Sequence, residues 1–99
     1  MNYINPVSNF AEEIEIGSDV YTTYLGKELI LKQVYRYYGP VTMQYLPYGG
    51  VQSVYQDQLI IHTKSGFIAT RNVIYDTIEM SSKDFISKFP DIVNEVFPS

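Results

Sequence analysis

A chain of 99 residues with a net charge of −4 and no cysteine has room for one small core, and it excludes disulfides and thiolate metal sites. Its apolar runs are too short for a membrane-spanning helix, and Met1-Asn2-Tyr3-Ile4-Asn5-Pro6 lacks the basic and apolar blocks of a signal peptide. The acidic balance runs against a strong, independent nucleic-acid binder.

The charge is unevenly spread. Residues 1–19 carry Glu12, Glu13, Glu15 and Asp19 with no base. Residues 20–75 carry Lys27, Lys32, Arg36, Lys64 and Arg71 against only Glu28 and Asp57. Residues 76–99 are acidic again, with Asp76, Glu79, Asp84, Asp91 and Glu95 against Lys83 and Lys88. Two readings fit: an ordinary solvated surface, or a weak polyanion-facing middle partly masked by its own ends.

In chain order, residues 1–19 read as an arm or a short helix ahead of a domain spanning 20–99. Ser8 or Asn9 is a candidate cap for a helix over Phe10-Ala11-Glu12-Glu13-Ile14, whose apolar pair is spaced i, i+4. Gly17 would end it. The alternative is a disordered or extended arm.

Val20–Leu25 is dense in β-branched and aromatic residues and predicts a strand, with Leu25-Gly26-Lys27-Glu28 as its turn. A longer strand follows from Glu28 to about Tyr38. Its apolar phase slips by one residue between Leu31 and Val34, the mark of a β-bulge. Gly39-Pro40 ends it. Val41–Leu46 is a candidate short strand, and Pro47-Tyr48-Gly49-Gly50 is a turn. Val51–Tyr55, Gln58–Thr63 and Phe67–Tyr75 read as further strands, separated by Gln56-Asp57 and Lys64-Ser65-Gly66. Short strands at regular spacing predict antiparallel pairing in a closed or nearly closed sheet.

The period then changes. Ser81 or Ser82 caps a helix with Asp84 in its first turn and Phe85, Ile86 and Phe89 on its apolar face. Pro90 stops it. Asp91 caps a second short piece bearing Ile92, Val93, Val96 and Phe97. These pieces are expected to cover one end of the sheet.

From Ala11 to Ile86 these segments resemble, in order and spacing, the C-terminal domain of methionyl-tRNA formyltransferase and related formyltransferases. The residues that carry the likeness are Ala11-Glu12-Glu13-Ile14, Tyr21–Leu29, Gly49-Gly50-Val51, Leu59–Gly66 and Met80-Ser81-Ser82-Lys83-Asp84-Phe85-Ile86. The resemblance implies a mainly β fold. It would be a small five- to six-stranded antiparallel OB-like barrel with a short C-terminal helical segment. It also implies a stand-alone, cytoplasmic accessory domain. The family's catalytic domain has no counterpart here, so no catalytic residue is carried over and no enzyme activity is expected.

Chemical motifs are sparse. His62, the sole histidine, falls on a strand with no nucleophile or orienting carboxylate at catalytic spacing, and reads as structural or surface. Zinc and calcium patterns are absent, and Gly49-Gly50 is a turn and not a phosphate loop. No cofactor or metal is expected. Ten tyrosines stand out, six of them from Tyr35 to Tyr55. They suit base stacking beside cations, sheet packing or a protein interface. The first expectation is weak contact with RNA, tRNA included, through Lys27, Lys32, Arg36, Lys64 and Arg71, with Tyr35 and Tyr37 stacking. The alternative is a protein-interaction module, as a homodimer or a detached subunit of a split formyltransferase.

Overall fold

The computed structural model describes residues 10–41 and 44–98. Among them the strands are β1 (Val20–Tyr24), β2 (Lys27–Lys32), β3 (Tyr35–Arg36), β4 (Val51–Tyr55), β5 (Gln58–Thr63), β6 (Gly66–Thr70), β7 (Asn72–Tyr75) and β8 (Ile78–Ser81). Helix α1 (Ser82–Lys88) and a 3-10 turn at Pro90–Ile92 follow.

Two-residue turns set the hairpin registers. Leu25-Gly26, Gln56-Asp57 and Asp76-Thr77 all hold positive φ at both positions. That backbone matches the right-handed twist of the strands they join. The antiparallel strands form two four-stranded sheets, sheet A in the order β1-β2-β7-β8 and sheet B in the order β3-β6-β5-β4.

Two bent strands link the sheets. β2 runs into β3 across Gln33, which holds a φ of +48°. This is where the apolar phase slips, but Lys32 to Tyr35 opposes Asn72 to Ala69 with equal numbers of residues, so the slip is a bend at a left-handed residue and not the expected β-bulge. The bend is satisfied from the side, as Gln33 N–H donates to Asp19 Oδ1 (3.0 Å) and Val34 N–H to the Ser18 carbonyl (3.0 Å). β6 runs into β7 across Arg71. There the Thr70 hydroxyl lies 2.7 Å from the Lys32 carbonyl, and the buried Ser82 hydroxyl donates to the Thr70 carbonyl (2.9 Å).

The main core lies between the sheets. It joins Leu29, Leu31, Val51, Leu59, Ile61, Ile68 and Val73 to Phe85 and Phe97. Ser81 caps α1 by accepting from Asp84 N–H (3.1 Å), and Pro90 follows its last residues. Ile92 and Phe97 of the second piece are buried, while Val96 is exposed.

Four further expectations need correction. The sheet does not close into a barrel. β1 and β4 are not paired with each other. Instead the C-terminal segment runs along β4, with Val51 N–H donating to Glu95 (2.7 Å) and Phe97 N–H to Gly49 (2.8 Å). Among the described residues the strands number eight and not five or six, because both long strands divide at their bends and β8 was given no strand reading from the sequence. β8 hid because its apolar alternation runs to only two residues, Ile78 and Met80, of which Ile78 is exposed and Met80 alone packs against the core.

The described part of the N-terminal helix, Phe10 to Ile14, is a turn and bend. Its own partners are diverted: Phe10 carbonyl accepts from Lys64 N–H (3.0 Å), and Ile14 N–H donates to Ser65 Oγ (3.4 Å). Those two groups would have bonded each other in a helix. The proposed caps Ser8 and Asn9 lie outside the described residues. Val41 and Gln44–Leu46 form no strand, and Thr42 and Met43 lie outside the described residues.

One consequence concerns acid stability. Lys32 Nζ sits 2.9 Å from Asp19, and both side chains are about 70% buried. The Lys32 hydrogen bond, then the Gln33 amide, hold the Asp19 carboxyl below its ordinary value of 3.8. A depressed carboxylate adds stability that is present above that value and is lost as pH falls through the lower folded value. Asp19→Asn should therefore lower Tm at neutral pH and flatten its decline below pH 3.8. An unchanged acid limb would show that this pair does not couple to folding.

Candidate nucleic-acid interface

The outer face of sheet B is apolar and roofed by the described loop residues 37–41 and 44–50. Cross-strand register sets Tyr35, Ala69, Ile60 and Ser53 in one row across the face. Phe67 and His62 are opposed in the next row, and Gln58 faces Tyr55 beyond the first. Tyr37, Ile60 and Ala69 form a second buried cluster, with Tyr35, Val41 and Phe67 against it.

Two side chains hold the roof. Gln52 sits at the bulge of β4 and is buried. Its Nε2 donates to the Gln44 carbonyl (2.6 Å), and its Oε1 accepts from Leu46 N–H (2.9 Å). These bonds take the place of a strand ladder. His62 Nδ1 lies 2.6 Å from the Leu46 carbonyl. A carbonyl only accepts, so Nδ1 carries the proton there. The His62 ring also lies 5.0 to 5.3 Å from Phe67, Tyr48 and Tyr45. Its contacts are those of a loop anchor.

The structure sorts the residues read from sequence into two groups. Lys27 and Lys32, on sheet A, are each paired with a carboxylate: Lys27 with Asp76 at 3.1 Å, Lys32 with Asp19 at 2.9 Å. Arg36, Lys64 and Arg71 belong to sheet B and its ends, and none has a carboxylate ion-pair partner among the described residues. Arg36 donates to the Ser65 carbonyl beside Lys64, and Arg71 donates to Gln56 (3.1 Å). Backbone carbonyls fix these guanidinium groups without cancelling their charge. Arg36 and Lys64 therefore stand at one end of sheet B and Arg71 at the other.

The two tyrosines singled out are occupied. Tyr35 hydroxyl donates to Gln58 Oε1, and Tyr37 is buried with its hydroxyl on the Pro40 carbonyl (2.7 Å). Burial pushes the Tyr37 phenol above its ordinary value. The exposed tyrosines are others: Tyr38, Tyr45, Tyr48 and Tyr55, with Tyr38 86% exposed. Their density from Tyr35 to Tyr55 was visible in the sequence. Which of them face outward was not, because the loop does not follow strand alternation.

Beside Tyr55 a cleft of about 300 Å³ opens between Pro40 and Val41 on the roof and Ser53, Val54 and Tyr55 on β4. A second hollow of about 230 Å³ is lined by Glu12, Glu13, Glu15, Ser18 and Asp19. No group of three metal-ligating side chains is found among the described residues. No helix among them is long and apolar enough to cross a membrane. Comparison with protein-family models, with curated proteins and with solved structures finds no match to this chain.

Proposed function

We propose that the chain is a non-catalytic accessory domain that contacts RNA weakly through sheet B, in keeping with its resemblance to the formyltransferase C-terminal domain. The observation that carries this reading is the sorting of charge. The middle cations without a carboxylate partner bracket the face that presents Tyr38, Tyr45, Tyr48 and Tyr55. No Asp or Glu occurs in the sequence between Glu28 and Asp57. Exposed aromatic rings beside uncancelled cations suit a single strand, whose bases stack while its phosphates meet the charges. The stacking groups in this reading are the exposed tyrosines, with Tyr35 and Tyr37 as support beneath them.

The acidic arm tempers the contact. Phe10 and Ile14 are bonded to Lys64 and Ser65, which brings the segment holding Glu12 and Glu13 to the Arg36–Lys64 end. Affinity for tRNA should fall steeply with salt, because phosphate contacts release counterions. Lys64→Ala should reduce the slope of log affinity against log salt by about one. Glu12→Gln with Glu13→Gln should strengthen binding by about twofold, the scale of exposed charge pairs. Undetectable tRNA binding at low salt would overturn this reading. A dimer found by sedimentation, without RNA binding, would instead assign the tyrosine face to protein association.

A further inference from the structure

We propose that the cleft between the roof loop and β4 is a pocket for a single nucleobase. This rests on the RNA reading for its biological source, but its chemistry stands on the cleft itself.

Ser53 is the starting point. It occupies the bulge of β4, where the register against β5 shifts between Val51 and Ser53. Its Oγ is buried and has no hydrogen-bond partner among the described residues. A buried hydroxyl left unpartnered is unfavourable, and native structures rarely keep one without a use. Ser53 lines the cleft. The other walls are Pro40, Val41, Val54 and Tyr55, so the lining is apolar apart from this hydroxyl and the tyrosine.

Such a lining selects its guest. Apolar walls and an aromatic ring favour a flat, weakly hydrated ring system. The Ser53 hydroxyl lies just beneath this wall and gains a partner only from a guest that reaches it, which favours a guest with hydrogen-bonding atoms on its edge. The cleft, about 300 Å³ and open to solvent, has room for one heterocycle laid along Tyr55. Nucleobases join these properties, and stacking on an aromatic side chain is how single strands are held. The charge nearby agrees. Arg71 is fixed to the Gln56 carbonyl, one residue beyond Tyr55, and can meet a phosphate attached to a base in the cleft.

The test is a titration of the full, isotope-labelled chain followed by amide NMR, with AMP, UMP, ribose 5-phosphate and an eight-residue oligouridylate. AMP and UMP should shift Val41, Ser53, Val54 and Tyr55, while ribose 5-phosphate should leave them unmoved. Tyr55→Ala should weaken mononucleotide binding by about tenfold, the scale of one lost stack. Ser53→Ala should weaken it by about fivefold. It should leave Tm unchanged or raised, since Ser53 Oγ makes no hydrogen bond among the described residues.

The outcomes separate the two claims. Mononucleotides in the cleft with no oligonucleotide or tRNA binding would keep the pocket, make a free nucleotide its guest, and overturn the RNA reading. Oligouridylate shifts confined to Tyr45, Tyr48, Arg36 and Lys64 would keep RNA binding and overturn the pocket. Equal shifts from ribose 5-phosphate, or full affinity in Ser53→Ala and Tyr55→Ala, would also overturn it.

Discussion

Phe85→Ala is expected to lower Tm by about 15–25 °C, the equivalent of about 3–5 kcal/mol for a deleted core phenylalanine in a domain of this size. Phe85 is fully buried on the inner face of α1. Its ring lies 5.4 Å from Tyr75, 6.0 Å from Tyr24 and 5.1 Å from Phe89, mostly in edge-on or tilted contacts that aromatic quadrupoles favour. Tyr24 and Tyr75 belong to sheet A and are themselves joined, as the Tyr75 hydroxyl donates to the Tyr24 carbonyl (2.9 Å). The ring therefore fastens the helix to the sheet. Removing it leaves a cavity that rigid strands cannot close. Small domains are stable by only about 5–15 kcal/mol, so the loss is a large share of the total. Phe85→Leu keeps most of the volume and should cost about 1 kcal/mol. Thermal unfolding of both variants checks this, and a Phe85→Ala Tm within a few degrees of the parent would show that α1 does not seal the core.

Gly49→Ala should cost about 3 kcal/mol, from a left-handed backbone and an overpacked contact together. Gly49 holds a φ of +94°, and a Cβ there would stand 2.6 Å from the Phe97 carbonyl oxygen and 3.2 Å from the Phe10 ring. The nearer atom is backbone and cannot rotate away. Gly49 also accepts from Phe97 N–H, so the clash falls on the bond that holds the C-terminal segment to β4. Hydrogen exchange should accelerate at Val51 and Phe97 before it does so in β5 or β6. Gly17→Ala is the control. It also has a positive φ, yet open space lies around its Cβ, so only the backbone cost of about 1–2 kcal/mol remains. Equal effects at Gly17 and Gly49 would mean that the segment after Asn94 does not press on the sheet.

Much of the local structure was legible because its causes are local. The β-branched and aromatic density of Val20–Tyr24 and the apolar run of Gln58–Thr63 between turn residues mark strands, the first with one face on the core and the second buried on both. The slip at Val34 marked the bend into the second sheet. Ser81 with Asp84 marked the start of α1, and Pro90 its end. The candidate interface was half legible. The sequence showed a basic, tyrosine-rich middle, but it selected Tyr35 and Tyr37, which turn out to be tied into the fold. It also ranked Lys27 and Lys32 with the others, although Asp76 and Asp19 neutralise them.

The amino-acid order by itself determined most of the strands between Val20 and Tyr75, where they turn, how α1 is capped, and that charge is segregated along the chain, since each depends on neighbours a few positions apart. Tertiary structure alone decided that the strands form two open sheets and not a closed cylinder. It alone decided that Phe10 and Ile14 give their backbone bonds to the β5–β6 turn, and which cations and tyrosines remain uncovered. Those outcomes rest on partners many residues away, such as Lys27 with Asp76 and Gly49 with Phe97, whose meeting no local period encodes.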